Sequence, residues 1–294
     1  MALNEEPIAW IEGQIMPAHE ARIPILDHGF LFGDGVFEGI RVTPTGIFRF
    51  DGHMKRLSTA ALAVGIEVEG GFDAVREVAL ETTRAWGPRE GYLRLIVTRG
   101  VGRLGIDPAG CPSPQIICIA AGAVSLDAEK QKSGIEMITS SLRRPASDVL
   151  DPRVKSLNYL NNVLAKREAN LSGADDALVL NAQGLVAEAS ATNVFALSGA
   201  ELATPPVTDG ALEGLTRRTV LEIGRDLGLD VREKSLSRFD LYAADAVFLT
   251  GTRAGLVPVG RLDGSPIAQT GRGQVDAIAA AFRKRQIELS TPVH

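Results

Sequence analysis

Lys155 is the side chain whose type and setting most readily do chemistry. It lies in Val154-Lys155-Ser156-Leu157-Asn158-Tyr159-Leu160-Asn161-Asn162, and no further charged residue follows until Lys166. A lysine in uncharged surroundings loses hydration, its pKa falls, and the free amine can form a Schiff base with a carbonyl compound. One lysine among many is ordinarily a solvated surface charge. A second segment, Asp27 to Arg41, places Gly29, Gly33, Gly35 and Gly39 among aromatic residues. Glycine lets backbone or ligand approach closely. The segment fits neither a helix nor a regular strand and reads as a glycine-rich loop feeding a strand.

A third motif misleads. Gly100-Val101-Gly102-Arg103-Leu104-Gly105 matches the dinucleotide fingerprint and follows a predicted strand. That fingerprint requires a helix to begin inside it, because the helix N-terminus binds the pyrophosphate. Pro108, Pro112 and Pro114 follow at once and forbid that helix. The segment is expected to be a loop beside an active site, which leaves a nucleotide-binding dehydrogenase with little support.

These residues need a scaffold, and hydrophobic periodicity supplies one. A strand at Ile8–Glu12 turns at Gly13-Gln14, and Phe48–Asp51 alternates like a strand. Helices are predicted over His53–Val64 and Phe72–Trp86, followed by strands at Tyr92–Arg99 and Gln115–Ala121. The small, polar stretch Ala121–Ser133 reads as a linker. Beyond it come a strand at Ile135–Thr139, a helix at Asn158–Ala169 and a hairpin of Ala177–Leu180 with Leu185–Glu188. A strand at Asn193–Leu197, a helix at Gly214–Gly228, a strand at Ala246–Thr250 and a helix at Gly271–Arg283 complete the chain. The pattern is α+β in two unequal domains, 1–122 and 133–294, joined by a linker at 123–132.

Composition bounds the function. Of 294 residues, 45% are hydrophobic and 23% charged, enough to bury a core without staples. Lys plus Arg is 31 against 36 Asp plus Glu, so there is no basic excess for nucleic acid. The longest apolar runs, such as Ile116 to Ala123, fall short of the roughly 20 residues of a membrane span. The N-terminus lacks the apolar core of a signal peptide. Cys111 and Cys118 form no disulfide framework or zinc pattern, and the four histidines contain no H-x-x-x-H pair. A cytoplasmic enzyme without a metal is expected.

Taken together, five segments resemble the fold-type IV pyridoxal-phosphate enzymes, the class IV aminotransferases, over about residues 8–270. Phe32 to Arg41 resembles the family's first signature, and Lys155-Ser156-Leu157-Asn158-Tyr159 its Schiff-base lysine segment. Glu188 to Phe195 resembles the cofactor-acid segment. Leu212 to Arg217 and Thr250-Gly251-Thr252 resemble the phosphate-binding turns. The branched-chain amino acid aminotransferases are the subgroup most resembled, with D-amino acid aminotransferases next. (R)-amine aminotransferases and aminodeoxychorismate lyase share the fold.

The resemblance implies pyridoxal 5'-phosphate bound between the two domains. Lys155 would be the catalytic amine, Glu188 the partner of the pyridine nitrogen and Tyr159 that of the phenolic oxygen. Arg56, Leu215, Thr216 and Thr252 would hold the phosphate, and Asn193 would stiffen the Glu188 segment. Phe32, Phe37, Gly39, Arg41, Tyr92, Arg94, Arg253 and Ala254 would meet the substrate, with Arg94 receiving the distal carboxylate of glutamate. The implied reaction is ping-pong transfer between branched-chain amino acids and 2-oxoglutarate, in a homodimer or larger homo-oligomer. Two positions depart from the subgroup: Phe32 where a tyrosine is usual, and Arg253 where a small residue is usual.

Overall fold

The structure is a computed structural model that describes residues 6–123 and 126–293. Its contacts divide the chain into two compact units. The first comprises Met1–Val124, Val154–Asn158 and Gln286–His294; the second comprises Ser125–Arg153 and Tyr159–Arg285. The short Lys155 segment and the C-terminal residues thus join the first unit, although they lie within the block 133–294 in sequence.

The first unit is built on a seven-stranded sheet in the order Ser290–Pro292, Gly46–Phe48, Gly35–Thr43, Gly91–Thr98, Gln115–Gly122, Ile8–Ile11, Gln14–Pro17. All its ladders are antiparallel. In the central pair Phe37 faces Ile96, Gly39 faces Arg94 and Arg41 faces Tyr92. Strand side chains alternate between faces, so these six share one face. Val36, Ile40, Val42, Leu93, Leu95 and Val97 share the other. There they join one apolar cluster with Met54 and Leu57 of the helix Phe50–Ala63 and with Val75, Val78 and Trp86 of the helix Gly71–Trp86. The helix residues recur every three to four positions, the spacing that turns one stripe inward.

The second unit carries a mixed sheet in the order Asp230–Glu233, Glu201–Thr204, Asn193–Ser198, Ala246–Gly251, Gly255–Leu262, Ile135–Arg143, Asp176–Leu180, Val186–Ala189, with Ser265–Pro266 on Gly255–Leu262. Its core includes Met137, Leu178, Val194, Val247, Leu249 and Val259. The helix Leu215–Asp226 buries Leu215, Thr219, Val220 and Ile223. Among the described residues no helix is long and apolar enough to cross a membrane.

Several expectations are corrected. The glycine-rich segment is regular. It forms a helix, His28–Phe32, whose cap Asp27 accepts from the Gly29 N–H at 2.7 Å and which ends at Gly33 with φ 69°. A nine-residue strand, Gly35–Thr43, follows. Its glycines serve contact rather than looseness: a Cβ on Gly39 would sit 1.9 Å from Tyr92 Oη. The Phe48–Asp51 strand breaks at Arg49, whose left-handed φ of 47° turns the strand Gly46–Phe48 into the helix starting at Phe50. The first hairpin turns at Glu12-Gly13, because Ile11 already pairs with Gln14.

The helix after Lys155 begins at Leu160 rather than Asn158. Asn158 is committed elsewhere, its Nδ2 donating to the Gly33 carbonyl at 2.8 Å. Within the expected linker, Ala128–Ser133 forms a helix capped by Asp127; Val124 and Ser125 lie outside the described residues. The Gly100–Gly105 motif opens no helix, and a single 3-10 turn, Pro108–Gly110, lies between it and the strand Gln115–Gly122.

Candidate active site

In the first unit, Val154–Asn158 lies along the edge of the strand Gly35–Thr43 opposite to Gly91–Thr98. The Phe37 N–H donates to the Lys155 carbonyl and the Leu157 N–H to the Gly35 carbonyl, each at 2.9 Å. An isolated bridge joins Val36 and Ser156. Gly35 permits this approach, since a Cβ there would lie 2.7 Å from both Leu157 Cδ1 and the Val97 carbonyl oxygen. The backbone thereby fixes Lys155 beside Phe37, with Nζ 4.5 Å from the centroid of the Phe37 ring.

The same ring carries a second cation. The Arg94 guanidinium lies 4.4 Å from the Phe37 centroid and 5.9 Å from that of Tyr92. Tyr92 crosses over Gly39, and Arg41 donates to Glu90 at 2.5 Å. Thus Phe37, Gly39, Arg41, Tyr92, Arg94 and Lys155 are assembled on one face of one sheet. Phe32 stands at the end of the short helix, 39% exposed, its ring edge-on to His28.

Arg56 is on the other face. Its Nε and Nη2 donate to the two oxygens of Glu38 at 2.6 and 2.7 Å. His53 Nδ1 lies 2.8 Å from Glu38 Oε2. Glu38 and His53 are wholly buried. Burial alone would raise the Glu38 pKa, but the Arg56 charge and the hydrogen bonds from Arg56 and His53 hold it far below the usual carboxylate range. Burial lowers the His53 pKa and outweighs the pull of Glu38, with the Arg56 and Lys155 charges acting in the same direction as burial. His53 is then neutral, and its Nδ1–H donates to Glu38.

The second unit gathers the remaining residues. Glu188, on the strand Val186–Ala189, is 3% exposed. Its Oε2 accepts from Asn193 Nδ2 at 3.2 Å and from the Leu212 N–H at 3.0 Å, while Arg144 Nη2 donates to its Oε1. Asn193 Nδ2 also donates to the Leu212 carbonyl at 2.9 Å. Gly214 packs on Asn193 and caps the helix that Leu215 and Thr216 open. The three-residue turn Thr252-Arg253-Ala254 joins two strands, and at its edge Gly251 packs against Thr192. Tyr159 precedes the helix Leu160–Leu171, where Asn162 Nδ2 donates to the Ser190 carbonyl at 2.6 Å. Arg253 and Ala254 are exposed.

The model of the family "amino-transferase class IV" matches residues 35–262. The chain belongs to the class IV aminotransferases. It is 42% identical over 266 residues to a Methanocaldococcus jannaschii protein provisionally named as a branched-chain-amino-acid aminotransferase, covering 90% of this chain and 91% of that one. The crystal structure of the Escherichia coli branched-chain amino acid aminotransferase superposes with a TM-score of 0.90 at 30% identity, over 98% of this chain and 97% of that one. The branched-chain amino acid aminotransferase of T.th., complexed with N-(5'-phosphopyridoxyl)-L-glutamate, superposes with a TM-score of 0.88 at 32% identity, over 99% of both chains. The fold is therefore fold-type IV, with mixed α and β content.

Class IV aminotransferases use pyridoxal 5'-phosphate, and the residues of this aminotransferase fit such a group. The helix Leu215–Asp226 starts after Gly214 with no side-chain cap. At its first turn the Thr216 hydroxyl is buried without a partner among the described residues, and so is the Thr250 hydroxyl. Helix N-terminal N–H groups plus an unpartnered hydroxyl are what a phosphate takes.

Sequence reasoning passed over three residues of these clusters. Glu38 had a signal: period-two alternation puts it on the core face with Val36, Ile40 and Val42, where a carboxylate requires a cation. The same strand argument points across to His53 and Arg56 on the packed helix. Arg144 had none, because nothing in Leu142-Arg143-Arg144-Pro145 separates the buried arginine from its exposed neighbour Arg143.

Proposed function

We propose that this class IV aminotransferase transfers amino groups between branched-chain L-amino acids and 2-oxoglutarate in two alternating half-reactions. One observation carries the reading: the Lys155 amine stands over the Phe37 ring, on the sheet face that also presents Gly39, Tyr92 and Arg94. The names of the E. coli and T.th. relatives supply the substrate class. Bound pyridoxal phosphate supplies an aldehyde for the Lys155 amine and a ring that withdraws electrons from the substrate α-carbon.

This chain's residues do the rest. Lys155 Nζ would accept the α-proton and return it two atoms away, to the cofactor's C4′ carbon. The Phe37 ring shields that amine from water and, with Tyr92, offers an apolar wall for a branched side chain. Arg94, held over Phe37, takes the distal carboxylate when the substrate is glutamate or 2-oxoglutarate. Glu188 accepts from the pyridine nitrogen and keeps its proton there. Tyr159 donates to the phenolic oxygen. Arg56, the Leu215 and Thr216 N–H groups and Thr252 hold the phosphate. Arg253 and Ala254 flank the α-carboxylate. The protein works as a homodimer or larger homo-oligomer.

Borohydride reduction of the cofactor-loaded protein followed by peptide mapping should leave the adduct on Lys155, and Lys155→Ala should lose several orders of magnitude in turnover. An adduct on another lysine overturns the assignment. A panel of L- and D-amino acids tests the substrate: L-leucine, L-isoleucine and L-valine should give the fastest first half-reaction.

A further inference from the structure

Glu38 is a carboxylate in an apolar place. Its neighbours on that face, Val36 and Ile40, are fully buried, as is Leu95 opposite it. A buried ion pair seldom adds stability over apolar residues of similar size, so stability alone does not account for it. Its geometry is more telling. Glu38 engages Arg56 side-on, through Nε and one Nη2 proton, and a bidentate pair of this kind fixes the plane of the guanidinium. The Nη1 protons and the second Nη2 proton are thereby aimed away from Glu38. His53 in turn fixes Glu38, its Nδ1–H reaching Oε2. The strand backbone on both sides of Glu38 is locked in the sheet.

Resting on the reading that Arg56 meets the cofactor phosphate, we infer that Glu38 and His53 are positioning residues that orient Arg56 toward that phosphate. The charge count sharpens the claim. With His53 neutral, the Glu38–Arg56 pair has no net charge. Arg56 then serves the phosphate through directed N–H groups rather than surplus charge. If charge alone mattered, a carboxylate beside the phosphate arginine would be a defect.

The two views predict opposite signs. Glu38→Gln removes a negative charge near the site and also removes the clamp. Full-length protein freed of cofactor is titrated with pyridoxal 5'-phosphate and, separately, with phosphate-free pyridoxal, following the visible absorbance of the lysine adduct. Pyridoxal keeps every contact except that to the phosphate, so the ratio of the two affinities isolates the phosphate contact. Positioning predicts that Glu38→Gln lowers this ratio by roughly ten- to a hundredfold, the size of one charge-assisted hydrogen bond.

His53→Leu should lower the ratio in the same direction. His53→Asn, whose amide can replace the Nδ1–H donor, should stay near the parent value. This pair decides the matter even where Glu38→Gln fails to fold. An unchanged or higher ratio in Glu38→Gln, or an unchanged ratio in His53→Leu, overturns the inference. Failure of the unsubstituted protein to form an adduct with either aldehyde instead overturns the function it rests on.

Discussion

Adding one methyl group to Gly39 tests whether the Phe37–Tyr92–Arg94 face is the substrate wall. A Cβ at this position would lie 1.9 Å from Tyr92 Oη, 2.7 Å from Cζ and 3.1 Å from Cε2. The obstacle is the outer end of a half-buried side chain, so the phenol swings aside by more than an ångström while the backbone stays. Gly39 is held in the ladder opposite Arg94, which leaves the strand little freedom to yield. Overpacking of this kind is destabilising by about 1–3 kcal/mol. The displaced phenol then occupies room a branched side chain would use. A loss of about 1.4–2.7 kcal/mol in the transition state corresponds to roughly ten- to a hundredfold in kcat/KM.

The assay compares L-leucine with L-alanine in Gly39→Ala, with Tm measured alongside. Leucine should lose ten- to a hundredfold while alanine, which does not reach the wall, loses much less. A double substitution with Tyr92→Leu should recover part of the lost stability, because the two side chains are in contact. A lowered Tm with both substrates unaffected would refute the reasoning, since the face would then be packed but not used.

Other expectations follow from the same geometry. Glu188→Gln keeps the size but removes the charge proposed to hold the pyridine proton, and kcat should fall about a hundredfold, or about 2.7 kcal/mol; near-parent turnover would place the cofactor's partner elsewhere. Arg253→Ala should lower kcat/KM for D-amino acids more than for L-leucine if this exposed guanidinium adds a second carboxylate contact, and equal effects on both enantiomers would make it a plain loop residue. Acid should weaken the fold in two stages. Burial first, and then Arg56 and Lys155, lower the His53 pKa below its ordinary 6.5, so from there downward the unfolded chain binds more protons and stability falls with pH. Glu38, held below its ordinary 4.5, adds a loss of the same sign below that value. Urea midpoints between about pH 7 and 5 should vary less in His53→Leu than in the parent, and an identical slope would refute the role of His53.

How much of this is legible in sequence depends on what each residue's signal is made of. The helices Phe50–Ala63 and Gly71–Trp86 show in the apolar spacing of Met54, Leu57, Val75, Val78 and Trp86 because one side packs and the other is wet. The helix His28–Phe32 does not show. It is barely more than one turn long, and its limits are set by a cap at Asp27 and a left-handed Gly33 rather than by periodicity. The strand Gly35–Thr43 is obscured for a different reason. Its glycines answer to Tyr92 and Leu157, which are distant in sequence. Lys155 stands out locally by its uncharged setting, yet its extended conformation depends on a strand more than a hundred residues earlier. The order of the five family segments therefore points to the class IV family where periodicity alone leaves the chain's function undefined.

The strand Gly35–Thr43 explains why these pieces belong together. Its odd positions, Phe37, Gly39 and Arg41, face Tyr92 and Arg94, while the intervening Glu38 faces the packed helix and Arg56. A one-residue slip in register would exchange the two faces at once, turning Phe37 and Arg41 toward the packed helices and Glu38 away from Arg56. The antiparallel pairing with Gly91–Thr98 forbids that slip, as does the strip Val154–Asn158 on the other edge. The hydrogen bond from the Phe37 N–H to the Lys155 carbonyl thus sets more than the lysine: it fixes in one register the amine, the wall beside it and the carboxylate that orients Arg56.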